Sequence, residues 1–528
     1  MRRWIACAIL AAMLGPTGRV TAEVPRVHAL SGVRIVVEPG RVIESGTIVL
    51  RDGIIEAVGA DTQPPAEATI WDLEGLTVYA GLIEPYALRA RPETEGGRTS
   101  RQGGHANSLV RPENSVTSYA AAEDSARKLR EAGFTTALVA PAEGIFRGSG
   151  TLLNLGEGTA GENLLRDDFA QFAAFDRNDR GYPRSLMGAV ALFRQTLLDA
   201  AWYAEAHRAY ENRPGQPRPR FDSSLAALAE TTAGEDLIVL ETDDAVDSLR
   251  AVGLVEEFGL DAWLVGNGEE YKWLAPIAAA GLPHLLPIDF PDDPAVPDED
   301  DLTVTLAELR HWNEAPANPQ RLLDAGVTVA FTSNGLAEPK KLHANLARAL
   351  DRGLTADQAL AAMTTTPARL LGIADRAGTV SAGKMANLVV VEGELFTDKT
   401  KVRELWIDGR RYEIKETKPP EVEPAGSWQL TVETPDGQQI PVSLTLEGEA
   451  ASLSGTVAAM GSEPITLSSA EVSGSTVEIT FDSTGLGMPG VITVTLEISG
   501  DEAAGNGVSP DGPFTISGSR NPLPEVTS

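Results

Sequence analysis

Over a span of roughly 300 residues, between about residues 79 and 379, short apolar runs alternate with amphipathic stretches, and this alternation narrows the fold more than any other feature. "FTTALVAP", "DLIVLE", "DAWLVG", "LPHLLPIDF" and "GVTVAFTS" read as strands. "SVTSYAAAEDSARKLREAG", "SLMGAVALFRQTLLDAAWYAEAHRAYE", "DDAVDSLRAVGLVEEFG", the stretch around Tyr271 to Ala280, "LHANLARALDRG" and "TADQALAAMTT" read as helices. Parallel strands cannot be joined by tight turns and need a crossover, usually a helix. The expected α/β fold is therefore a β/α (TIM-like) barrel over residues 79–379. Two glycine-containing stretches, "GIFRGSG" and "LGEGTAGENLL", lack the spacing of a phosphate-binding loop and read as plain loops.

β-like texture flanks this region on both sides. It covers "SGVRIVV", "SGTIVLRDGIIEAVGA" and "ATIWDLEGLTV" before it, and "KMANLVVVEGELF" and "KVRELWIDGRRYEIK" after it. Asp52-Gly53 between two Ile/Val-rich runs is a hairpin signal. Residues 23–78 and 380–418 are expected to pair into one small β-sandwich. A proline-rich linker follows at 419–424, within "KETKPPEVEPAG". Residues 425–521 alternate Thr, Val, Ile and Leu, with turn signals at Pro435-Asp436-Gly437 and Pro510-Asp511-Gly512, which predicts a separate all-β domain with its own core. This domain shows no catalytic constellation.

Arg2 and Arg3, an apolar stretch from Trp4 to Leu14 and the small-residue site Val20-Thr21-Ala22 make residues 1–22 read as a signal peptide, so a periplasmic or secreted location is expected. No later run is apolar enough to span a bilayer. The only cysteine, Cys7, would leave with the signal. A net charge of −31 argues against nucleic acid as a partner. Residues 421–528 carry 15 acids against one base, Arg520, which solvation and colloidal repulsion explain.

On "GTIVLRDGIIEAVG", "LEGLTVYAGLIEP", "PARLLGIADRAGTVSAGKMANLVVVEG" and "VRELWIDGRRY", the chain resembles the amidohydrolase superfamily across roughly residues 28–415. The resemblance implies a β/α barrel, a sandwich made from both chain ends, and one or two metal ions at the C-terminal ends of the barrel strands. It also implies hydrolysis of amide and related carbon-nitrogen bonds. The metal-binding positions depart from the family. Where the first strand should carry His-x-His, whose alternate side chains grip one ion, this sequence has Tyr86 and Leu88. The fourth-strand lysine has no counterpart, there being no lysine between Lys128 and Lys272. Glu241 aligns with the fifth-strand histidine and Asn267 with that of the sixth. Asn334 replaces the eighth-strand aspartate, and an amide cannot act as a general base. The reading is a lost metal site with no cofactor, and Tyr86, Glu241, Asn267 and Asn334 are expected to converge on one barrel mouth.

The remaining chemistry is sparse. His28, His105, His207, His284, His311 and His343 form no spaced pair, and no nucleophile elbow appears. His284 reads as a core histidine and His105 as a loop residue. Glu84, His284 and Asp289, with Glu241, are the groups from which a rearranged site would be recruited. The leading expectation is an exported amidohydrolase-like protein that binds a small ligand in the barrel mouth, or a partner protein such as an intact amidohydrolase relative. The alternative is an active hydrolase of carbon-nitrogen bonds with a rearranged site, in which a divalent metal such as zinc would return. A structural role in the cell envelope through the C-terminal domain is a third.

Overall fold

The computed structural model describes residues 26–90, 104–117, 120, 123–213, 215, 217–294, 304–414, 420–434, 437–450, 453–459, 462, 464–483, 490–509 and 512–520. The expected signal peptide, the start of the linker at residue 419, and the turn positions Pro435-Asp436 and Pro510-Asp511 lie outside the described residues. The chain divides into two compact units, residues 1–414 and 415–528.

The first unit is mixed α/β, built on a nearly closed, barrel-like sheet of eight strands. In chain order these are β1 (Leu82–Arg89), β2 (Phe134–Pro141), β3 (Phe146–Asn154), β4 (Leu164–Ala174), β5 (Ile238–Glu241), β6 (Ala262–Val265), β7 (His284–Pro287) and β8 (Val329–Thr332), each paired with the next. Inward side chains such as Ile83, Leu138, Phe172, Val239, Leu285 and Ala330 form one buried cluster. Helices α1 (Glu123–Glu131), α2 (Leu186–Asn212) and α3 (Ala245–Phe258) bury apolar faces around the sheet, and Asp244 caps α3 by accepting from the Val246 and Asp247 amides.

The sheet departs from strict strand-helix alternation at β3, which runs antiparallel to both β2 and β4. "GIFRGSG" is therefore the entry into a strand, and "LGEGTAGENLL" leads into another. Glycine is what admits the strand. A Cβ on Gly148, whose φ is +110°, would stand 2.3 Å from the Asn114 carbonyl oxygen, and one on Gly150 would stand 2.5 Å from the Phe172 ring. The same contact explains why helix α1 is shorter than expected. Ser115 is held in a parallel bridge to Ser149 of β3, so the chain there is extended rather than helical.

Glu84 ties β8 to β1. It is fully buried and accepts from the amides of Tyr86 (3.0 Å) and Ser333 (2.8 Å), from the Ser333 hydroxyl (2.6 Å) and from the Thr332 hydroxyl. Both flanks of the chain join one eight-stranded sheet, in which the strand Leu76–Ala80 pairs antiparallel with Leu388–Glu392. Its hairpins Asp52-Gly53 and Asp408-Gly409 both have positive φ at each position, as tight two-residue turns require. They sit back to back, so a Cβ on Gly409 would lie 3.0 Å from the Gly53 Cα. The second unit is a nine-stranded antiparallel sheet whose alternate residues, among them Trp428, Leu444, Val477 and Leu496, form its own core.

His343, on the helix Leu342–Leu350, is buried with Nε2 donating to the Ala132 carbonyl (3.0 Å) and Nδ1 unpartnered. Burial pulls its pKa down to about 4. The unfolded chain binds this proton near pH 6.5 and the folded chain does not, so stability is lost as pH falls from 6.5 through 4. The loss is about 3 kcal/mol at one pH unit per 1.36 kcal/mol. Urea melts across that window should give a stability-pH slope that His343→Leu flattens by about this amount. Parallel curves for the two proteins would contradict it. His28, His284 and His311 are shifted the same way by burial, so part of the slope should survive the substitution.

Candidate functional site at the barrel mouth

Because β3 runs opposite to its neighbours, its first residues lie at the C-terminal ends of β2 and β4, where barrels carry their chemistry. This brings Arg147, 5% exposed in its side chain, to the mouth. Its guanidinium forms an ion pair with Glu241 at the end of β5, donates to the Tyr86 hydroxyl (3.0 Å), and reaches Asp176 just beyond β4 (3.4 Å). The Tyr86 hydroxyl in turn donates to Glu241 at 2.8 Å, closing a ring of three. Burial pushes the Tyr86 phenol well above its usual range, so it stays a neutral donor. Burial alone would lower the Arg147 guanidinium, but the Glu241 and Asp176 carboxylates raise it above its ordinary value. Asp243, pushed up by burial and then by Glu241, Asp247 and Asp176, adds to the acidic rim.

Asp176 also accepts from the Gly144 amide (2.8 Å) and helps line an open hollow of about 690 Å³ with Leu109, Glu143, Gly144 and residues 177–180. This hollow carries both signs of charge, Glu143 and Asp179 against Arg177 and Arg180.

The other positions read from the sequence have different surroundings. Leu88 packs against the apolar barrel interior. Asn267 turns its amide to the hydroxyls of Thr242 (3.1 Å) and Ser248 (3.0 Å), bracing the loop between β5 and α3. Asn334 follows β8, its amide nitrogen donating to the Thr332 hydroxyl (3.0 Å). Tyr86 and Glu241 are thus brought together, while the Asn267 amide bonds the neighbouring segment after β5 and the Asn334 backbone amide bonds Thr332 at the end of its own strand. Of the weaker candidates, Glu84 is used in the barrel seam. His284 is buried, bonded through Nδ1 to the Leu282 carbonyl (2.9 Å) with Nε2 unpartnered. Asp289 lies beside Gly335, raised by burial and then by Asp292. His105 is pinned in its loop, with Nδ1 accepting from the Asn107 amide (3.1 Å).

The amidohydrolase family profile matches residues 313–412, the last part of the barrel and the returning strands. An imidazolonepropionase of Deinococcus radiodurans is 26% identical over 366 residues, covering 67% of this chain and 87% of that protein. An amidohydrolase of Thermotoga maritima, a solved structure, superposes with a TM-score of 0.60 at 21% identity, over 73% of this chain and all of the other. Together these likenesses support the amidohydrolase superfamily.

An amidohydrolase metal centre needs several lone-pair donors aimed at one point. Leu88 offers no donor, Tyr86 keeps its proton, and Glu241 already faces a fixed cation in Arg147. Among the described residues no three His, Cys, Asp or Glu side chains group as metal ligands. The family profile match, residues 313–412, includes Asn334 and stops short of Tyr86, Arg147 and Glu241. Arg147 is hard to single out in the sequence because its glycine-rich segment reads as a loop. The signal was present: Arg147 is the only base between Phe134 and Asn154, in a run whose one other charge is Glu143.

Proposed function

We propose that this amidohydrolase-superfamily chain is an exported protein that has given up the family's metal centre and acts by binding a small polar ligand at the barrel mouth. The observation that carries the reading is Arg147, a cation built into the chain and held by Tyr86, Glu241 and Asp176. A divalent ion placed there would meet a guanidinium at contact distance, and like charges repel strongly at a buried site. The mixed-charge hollow next to Asp176 suits a ligand bearing both an acidic and a basic group. Export rests on the arginines and apolar run of residues 1–22.

Melting temperatures in chelator and in excess zinc are expected to agree within roughly a degree or two, because a metal that does not bind the native state contributes no linked stabilisation. A fall of several degrees in chelator, with stoichiometric zinc, manganese or iron retained through dialysis, would sink the proposal. That outcome would favour a second reading, a hydrolase of carbon-nitrogen bonds with a rearranged site. Its support is the likeness to an imidazolonepropionase across most of that protein's length.

A further inference from the structure

Tyr86 and Leu88 of β1 pack inside the barrel, so Ala87 and Arg89, alternating with them along the strand, lie on its outer face toward α1. There α1 does not fill the space above β1, β2 and β3. A cavity of about 90 Å³ remains, lined by Ala87, Ala126, Leu129, Val139 and Leu153 together with Arg89 and Glu123, and every residue in its lining is among the described ones. Alanines on both the strand and the helix leave the room. A water needs roughly 10–15 Å³ of such space, so this cavity is several times larger than one water requires.

The two charged groups in its wall are not partners of each other. Glu123 is paired with Arg130 of the same helix. The Arg89 guanidinium makes one hydrogen bond, to the Ser125 hydroxyl (2.5 Å), its Nε is buried with no acceptor, and no carboxylate pairs with it among the described residues. Burial holds this guanidinium below its ordinary pKa with no carboxylate to oppose the shift, whereas Arg147 is held above its own by Glu241 and Asp176. A cation withdrawn from water without a counter-charge costs the fold free energy, and an anion from outside would offset that cost.

The cavity also limits which anion it suits. One unpaired guanidinium neutralises one charge, and Glu123 and Asp124 in the first turn of α1 disfavour a second, which counts against phosphate. A carboxylate matches the planar fork of arginine. Leu129, Val139 and Leu153 offer aliphatic wall, and the volume admits only a few carbons. We propose that the cavity between α1 and the outer face of β1, β2 and β3 binds a short aliphatic monocarboxylate, its carboxylate on Arg89 and its chain against these three side chains. The inference is independent of what the barrel mouth binds.

Butyrate is the probe. Isothermal titration of the full chain should show one site with a Kd of about a millimolar or tighter, within reach of a ligand of this size. Arg89→Met should weaken binding by at least about tenfold. Because that substitution removes an unpaired charge and keeps the side-chain bulk, it should melt no lower than the wild type, so the loss is not one of folding. Ala126→Leu, which fills the cavity and leaves Arg89 in place, should also abolish binding. Butyramide, of the same shape without the charge, should bind at least about tenfold more weakly, and phosphate should not displace butyrate. Arg177→Ala, in the hollow beside Asp176, should leave the titration unchanged, which separates this cavity from the mouth. No binding up to about 50 mM, far weaker than such a site should be, would overturn the proposal. So would butyrate binding that survives Arg89→Met and Ala126→Leu, that phosphate displaces, or that is lost in Arg177→Ala.

Discussion

Replacing Arg147 by methionine should destabilise the first unit by about 3–5 kcal/mol, as expected when one partner of a buried ion pair is removed. Methionine fills much of the same volume, so the loss is electrostatic rather than a packing defect. Arg147 is almost wholly buried and Glu241 is 19% exposed. Without the guanidinium the Glu241 carboxylate keeps, among the described residues, the Tyr86 hydroxyl as its donor, and Asp176 and the raised Asp243 stand nearby. The double variant Arg147→Met/Glu241→Gln should recover more than about 1 kcal/mol of the loss, the coupling expected of groups in direct contact. Urea midpoints of the four proteins in the cycle measure it. If the two single losses simply add, the pair does not interact as the geometry requires. Zinc titrated into Arg147→Met also distinguishes whether the arginine alone keeps a metal out or whether the donor set has gone as well.

What the sequence disclosed and what it hid follow from the range over which each signal acts. The strand-helix alternation is local, so β2, β5, β6, β8 and the helices α2 and α3 are legible from periodicity alone. The Asp-Gly hairpins are likewise written in two residues. β3 was not legible, because glycine is depleted in strands and here serves close approach to Asn114 and Phe172, partners far along the chain. With β3 hidden, Arg147 had no address. The bond between Tyr86 and Glu241 spans 155 residues and no single-sequence pattern encodes it. Asn267 and Asn334 each follow a barrel strand, but whether an amide turns into a mouth or braces an adjacent loop depends on neighbours such as Thr242 and Ser248 that come into reach only on folding.

Glu84 is the other position where one substitution should cost most, again about 3–5 kcal/mol for Glu84→Leu. Leucine approximates the volume but removes the acceptor for the Tyr86 and Ser333 amides and the Thr332 and Ser333 hydroxyls, all at the junction of β1 and β8. Each buried donor left unpaired costs about 1–3 kcal/mol. Glu84→Gln should fall between, since its amide nitrogen puts hydrogens against donors on one side. Burial raises the Glu84 carboxyl pKa although Ser333 and Thr332 oppose the shift. A raised folded pKa means that the carboxyl contributes most below its unfolded value near 4.3 and loses that contribution as pH rises through the folded one. The gap between wild type and Glu84→Gln should therefore narrow from acid toward neutral pH. Hydrogen exchange locates the defect: the Ser333 and Tyr86 amides should exchange at least about tenfold faster in Glu84→Leu, while β5 and β6 amides change only with global stability. Unchanged protection at Ser333 would show that the seam is held by something other than this carboxylate.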